Sequence, residues 1–278
     1  MSDPSTAPPA SATRLTPDAY LRHLRAGSEA FAAAVAAAPA GAAVPTCPDW
    51  RRDDLLWHLA EVQWFWGTIV RRRLTDLDAV SALSLDRPAG HAELAALAAR
   101  AAADLAAALA ATPLQTPVWT WAEDDRTAGF VLRRQAHEVL IHRLDAELTA
   151  GTRAALDPEL AADGVDEALR IMFGPPPWGT FAPGEASLRV RCHDTGHTWR
   201  VTPGRFTGTA PSEGTAVDEP LLHTAPVDDG RPVAAAVEAT AADLDCLLWN
   251  RPPLGPVERS GDGAVLALLD AVRGVGVQ

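Results

Sequence analysis

The chain has 278 residues and is 47% apolar, so a packed core is expected and disorder is not its default state. Its net charge is −12 and all 24 basic residues are arginine, which argues against nucleic acid or any partner held by phosphate neutralisation; the arginine bias fits a GC-rich genome. The three cysteines, Cys47, Cys192 and Cys246, are widely spaced, so neither a disulfide framework nor a thiolate zinc site is indicated, and a reducing cytoplasm is the expected compartment.

Residues 1–13 read as a disordered Pro/Ser/Ala tail with no leader pattern. The Ala-rich run from Phe31 to Ala38 is halted by Pro39 well short of the ~20 apolar residues of a membrane span, and no membrane segment is expected. A first helix starts at Thr16-Pro17, a good cap followed by a good first-turn residue, and runs to about Ala38 with Tyr20, Leu21, Leu24, Phe31 and Val35 inward. After a loop holding Pro39, Pro45 and Pro48, a second helix from about Arg51 to Thr75 is striped by Leu55, Leu59, Val62, Trp66 and Ile69. A third spans about His91–Ala111. A fourth spans about Thr127–Thr149 and is ended by Gly151. Four such helices predict an all-α bundle over 14–153, whose natural ligand site is its core.

From about Leu156 the texture changes, and 154–278 reads as a smaller C-terminal α+β domain. Asp157–Phe173 is predicted as a helix. Residues 187–204 form a β-hairpin about an Asp194-Thr195-Gly196 turn; PVAAAVEATA is a strand and AADLDCLLWNR a helix.

The stretch AHEVLIH, Ala136–His142, resembles a zincin signature with one residue too many between its histidines. At ~100° per residue, His137 and His142 lie roughly 140° apart and cannot share a metal. Glu138 and His142 differ by only roughly 40° and project from one face, together with Val131, Gln135 and Asp145. His137 falls on the line of Ile141, Leu144 and Leu148 and reads as a core histidine. The Glu138/His142 pair is either two metal ligands or an ordinary helix-stabilising pair. His58, on the buried stripe of the second helix, is either a third ligand or a satisfied core residue.

The segments TCPDWRRDDLLWHLAEVQWFW (Thr46–Trp66) and RRQAHEVLIHRLDAE (Arg133–Glu147) resemble the mycothiol-dependent maleylpyruvate isomerase family of actinobacteria, within the DinB-like four-helix-bundle metalloenzymes. The resemblance continues more weakly through ATAADLDCLLWNRPP. It implies that His58, Glu138 and His142 hold a divalent metal, usually Zn2+, with mycothiol as cosubstrate and a small electrophile as substrate. It also implies that Arg251 corresponds to an active-site arginine of the family. Relatives carry a Thr or Ser cap shortly after the Trp, where this chain has Arg51-Arg52; Asp49 is the alternative cap.

The activity so implied is S-transfer to the electrophile or its cis/trans isomerisation, in a monomer or homodimer. The alternatives are a thiol-independent metal-dependent hydrolase or lyase, and a non-enzymatic small-molecule-binding protein. A His/His/carboxylate set suits zinc and also accommodates iron, nickel, cobalt or manganese. Gln135 and Asp145 are expected to orient His142 or the bound thiol. Trp57, Trp64, Trp66, Trp119 and Trp121 are core residues or the wall of a cleft, with Trp121 assigned to the cofactor side. Arg134 joins Arg251 as a clamp for a carboxylate substrate. Cys192, His193 and His197 flank a hairpin turn that should set Cys192 and His193 on opposite faces, against a second metal site.

Overall fold

The structure, a computed structural model, describes residues 13–211, 214–225 and 229–275. Leu15–Leu156 form one compact unit, and the described residues from Asp157 onward, with Thr13 and Arg14, form the other. Of the expected disordered tail, 1–12 lie outside the described residues; the Thr13 hydroxyl donates to Asp163 at 3.0 Å.

The N-terminal unit is built on four long helices. Helix α1 (Pro17–Ala37) starts where Thr16 accepts from the Ala19 N–H, with Pro17 in the first turn. Helix α2 spans Arg52–Arg72. A short α3 (Leu77–Ser81) precedes α4 (His91–Ala111). Helix α5 (Ala128–Thr149) opens on Thr127, which accepts from the Phe130 N–H, and is followed by Gly151 at φ 73°, a left-handed position that suits glycine. The predicted inward residues Tyr20, Leu24, Phe31, Leu55, Leu59, Trp66 and Ile69 are buried, while Leu21 and Val62 are half-buried.

Two features differ from the expectation. The proline-rich loop contains a small hairpin, β1 (Ala43–Val44) and β2 (Cys47–Arg51), so the unit is not purely helical. Asp49 does not cap α2; the Asp54 carboxylate reaches back to accept the Arg51 N–H at 2.8 Å, which replaces the missing Ser or Thr.

Helix α1 packs along α5, and α2 along α4, with lesser contacts of α1 to α4 and of α2 to α5. Close approach is licensed by glycine. A Cβ on Gly27 would meet Val139 Cγ1 of α5 at 2.8 Å, and one on Gly67 would meet Leu105 Cα of α4 at 3.2 Å. Helix α4 is long and apolar enough to cross a membrane by length and composition; here Leu94, Leu105 and Leu109 are buried in a unit where α4 packs on α1 and α2.

The second unit begins with α6 (Pro158–Glu167), capped by Asp157, and runs without a break into a π-helical turn over Ala168–Met172. Six strands follow: β3 (Gly179–Pro183), β4 (Leu188–Cys192), β5 (Thr198–Thr209), β6 (Ala216–Thr224), β7 (Ala235–Ala239) and β8 (Glu258–Gly261). One edge of β5 pairs antiparallel with β4 and then β3; its other edge pairs with β6. Strand β4 pairs parallel with β7, and β7 antiparallel with β8. Helices α7 (Ala241–Leu248) and α8 (Gly263–Val275) complete the unit, giving a mixed α+β arrangement. The hairpin turn falls where expected, with Gly196 at φ 77°; Cys192 is buried and His193 exposed.

The Gly67 contact is with backbone, which cannot swing aside. Gly67→Leu is expected to lower the unfolding free energy in urea by about 1–3 kcal/mol through forced separation of α2 and α4. Gly274→Ala, where no atom of the described residues lies within 4 Å of a Cβ, should leave it unchanged or slightly raised.

Candidate metal centre

Three side chains from two helices converge in the N-terminal unit. His58 comes from the second turn of α2, Glu138 and His142 from one turn of α5, and a potential ligand atom of each lies within 4.8 Å of the others. Both imidazoles address the same carboxylate oxygen. His58 Nε2 lies 3.3 Å and His142 Nε2 3.2 Å from Glu138 Oε1, with ring centroids of the two histidines 4.7 Å apart. Among the described residues this is the one group of three or more His, Cys, Asp or Glu arranged to hold a cation, and it contains no cysteine.

The surroundings orient these groups. Arg134, one turn before Glu138, donates to its Oε2 at 2.8 Å. It thus holds a carboxylate of the cluster, a consequence of the i, i+4 spacing that also joins Glu138 to His142. Asp145 is wholly buried, and its Oδ2 lies 3.0 Å from His142 Nδ1. It therefore holds His142 rather than facing a ligand. That contact occupies Nδ1 and leaves Nε2 for the cluster, as carboxylate partners do for metal-binding histidines. Gln135 lies on the same face of α5, buried, and its carboxamide oxygen has no hydrogen-bond partner among the described residues.

Two contributors were not singled out from the sequence. Trp50 of β2 lays its ring against both imidazoles, with centroids 4.8 Å from His58 and 6.2 Å from His142. Thr46, in the turn between β1 and β2, donates to Asp145 Oδ1 at 2.6 Å. The aromatic residue against the two imidazoles is thus Trp50; Trp121 is 44% exposed and meets Phe130 edge-on at 5.4 Å. Trp66 and Trp119 stack on each other at 6.0 Å. His137 is buried beside Tyr20, in keeping with a core role. Arg251 belongs to the other unit, where it donates to the Trp249 carbonyl at 2.7 Å. His197 bonds Thr195, and burial pushes the Cys192 thiol up to about 12.

Charge and burial oppose each other at the cluster. Burial alone would raise the Glu138 carboxyl, but hydrogen bonds and charge from His142, His58 and Arg134 outweigh it and hold Glu138 well below the usual carboxylate range. Burial likewise disfavours the His142 imidazolium, yet Asp145 and Glu138 push His142 up to about 9. As a donor set, two imidazole nitrogens and one carboxylate oxygen, with the second nitrogen of His142 fixed, fit a divalent cation of zinc type.

A cavity of about 430 Å³ opens elsewhere in the unit, between α1, α2 and α4, lined by Phe31, Leu59, Ala102 and Ala106 among others. It shares no residue with the cluster, and on α2 Leu59 and Gln63 project roughly 100–140° away from His58.

Comparison with known proteins accords with this geometry. Residues 21–147 match the family model for the mycothiol maleylpyruvate isomerase N-terminal domain, and residues 159–268 match the MDMPI C-terminal domain. Two solved structures share the fold. One is the crystal structure of the mycothiol-dependent maleylpyruvate isomerase, with TM-score 0.55 and 15% identity over 89% of this chain and 95% of that one. The other is a histidine-to-alanine variant of that isomerase, with TM-score 0.57 and 17% identity over 89% and 95%. No curated protein matches the chain significantly.

The raised His142 sets a sign for stability in metal-free protein. A group whose pKa is higher in the folded state contributes fully below its unfolded value of 6.5 and loses that contribution as pH rises through about 9. Unfolding free energy is expected to fall between those limits, by at most ~1.4 kcal/mol per pH unit, and His142→Asn should flatten the slope in urea titrations.

Proposed function

The chain belongs to the mycothiol-dependent maleylpyruvate isomerase family, and from that premise we propose that it is a metal-dependent enzyme that activates mycothiol for attack on a small electrophile. On this reading α1, α2, α4 and α5 are the four helices of a DinB-like bundle, and His58, Glu138 and His142 are the metal ligands. The observation that carries the proposal is their convergence on one point, with Nδ1 of His142 already taken by Asp145.

His58, Glu138 and His142 would hold a divalent cation, which would supply Lewis acidity that lowers the pKa of a bound thiol. The side chains set the charge that such a thiol meets. With His142 protonated, the charges of Glu138, Asp145, Arg134 and His142 balance; exchange of that proton for a dication leaves one positive charge, which favours an anionic sulfur. The cluster has no cysteine, so the sulfur comes from outside the chain. Arg134 fixes the plane of the Glu138 carboxylate, and Trp50 covers the imidazoles against water. The carboxamide oxygen of Gln135 is left for a donor on the cosubstrate.

In the proposed reaction the thiolate sulfur bonds to an alkene carbon conjugated with a carbonyl as the π pair moves onto that carbonyl as an enolate. Rotation about the resulting single bond and return of the pair expel the thiolate and give the geometric isomer; protonation of the enolate carbon from solvent instead keeps the adduct, which is S-transfer. Arg251 and Arg134 are the cationic residues we nominate for a substrate carboxylate.

Purified protein should contain about one divalent metal per chain by elemental analysis, lost in His58→Ala and in His142→Ala. Incubation with mycothiol and a conjugated alkene acid should yield an isomer or a thiol conjugate by mass spectrometry. Metal-dependent turnover that ignores mycothiol would overturn the assignment. Because the metal competes with the His142 proton, its apparent affinity should rise by up to tenfold per pH unit as pH increases toward about 9. Calorimetry in buffers of different ionisation enthalpy should record close to one proton released per metal at neutral pH.

A further inference from the structure

Thr46, at the tip of the β1–β2 hairpin, lies 99 residues from Asp145 of α5 in sequence, yet its hydroxyl makes a 2.6 Å hydrogen bond to Asp145 Oδ1. The other oxygen of the same carboxylate addresses His142 Nδ1 at 3.0 Å. We infer that Thr46 is a positioning residue for His142, acting through Asp145. The inference rests on the metal reading above for its effect on affinity, though not for its effect on the imidazole itself.

A single contact between a carboxylate and an imidazole fixes a distance but leaves the carboxylate free to turn about its last torsion, which has broad wells. A donor on the second oxygen removes that freedom. With the Asp145 plane set, the ring of His142 can turn only by giving up its own bond, so Nε2 stays aimed at Glu138 Oε1. Asp145 is wholly buried, and water does not readily replace a lost donor there.

The hairpin is built to hold Thr46 still. Pro45 precedes Thr46 in the two-residue turn, where its fixed φ stiffens the backbone. Val44 is 1% exposed on β1, which packs against α5, and the Arg52 N–H donates to the Ala42 carbonyl at 2.8 Å, tying the hairpin base to the start of α2. The segment that carries Thr46 to Asp145 also carries Trp50 to the imidazoles, so one small hairpin braces ligands from both helices.

The test compares wild type with Thr46→Val, which keeps the shape and removes the hydroxyl, and Thr46→Ser, which restores it; Thr46→Ala stands in if the valine variant does not fold. Zinc dissociation constants come from competition with a chromophoric chelator. Solvent exchange of the His142 Nδ1–H in metal-free protein comes from ¹H–¹⁵N NMR. Thr46→Val should weaken zinc binding about 10–100-fold and speed the exchange, with Thr46→Ser close to wild type in both. Unchanged zinc affinity and exchange in Thr46→Val, or a serine variant that restores neither, would overturn the inference. If wild type takes up no zinc while the exchange responds as expected, the metal reading falls and the positioning role stands.

Discussion

A glutamate and a histidine one helical turn apart on α5, facing a single histidine on α2, form the constraint around which the N-terminal unit is organised. Three polar side chains with atoms within 4.8 Å of one another, largely removed from water, are costly unless each has a partner. The unit meets that cost with a short ladder on α5, in which Arg134, Glu138 and His142 follow at four-residue intervals and Asp145 closes the far end. Positive and negative groups alternate along it, which shifts both Glu138 and His142 toward their charged forms in the metal-free protein.

Such a ladder needs α5 and α2 held in fixed register. Gly27 and Gly67 let the long helices approach to contact distances at which larger residues would wedge them apart. The hairpin before α2 adds an independent brace, with Thr46 on the α5 side and Trp50 over both imidazoles. Rigidity matters chemically because a cation site loses selectivity when its donors can wander. The second unit, with its six-stranded mixed sheet, carries Arg251 and matches the family's C-terminal domain, so the chain spans both halves of the family's plan.

Much of this was legible in residue spacing. The apolar stripes placed the long helices to within a few residues, and α4 over the same span, because 21-residue amphipathic segments repeat their period several times. The zincin-like stretch yielded the Glu138/His142 pair by angle alone. Other parts left no periodic signal. Strands of two and five residues, with Pro45 and Pro48 among them, read as a loop, because so short a segment cannot display alternation and a proline is tolerated on an edge strand. Thr46 and Trp50 were missed with that hairpin. The Arg134–Glu138 contact did have a signal, since it repeats the four-residue spacing of Glu138 and His142, but arginine chemistry pointed to a substrate instead. A π turn continuing α6 changes which carbonyl each N–H finds, and nothing in the side-chain pattern reports that.

The central claim, a cation held by two imidazoles and a carboxylate with sulfur arriving from outside the chain, is read most directly by X-ray absorption at the zinc edge before and after mycothiol is added. The account predicts nitrogen and oxygen neighbours only in the first spectrum, with imidazole multiple scattering from two rings, and a new sulfur shell at ~2.3 Å in the second. A sulfur neighbour present before any thiol, or no imidazole scattering at all, would contradict it.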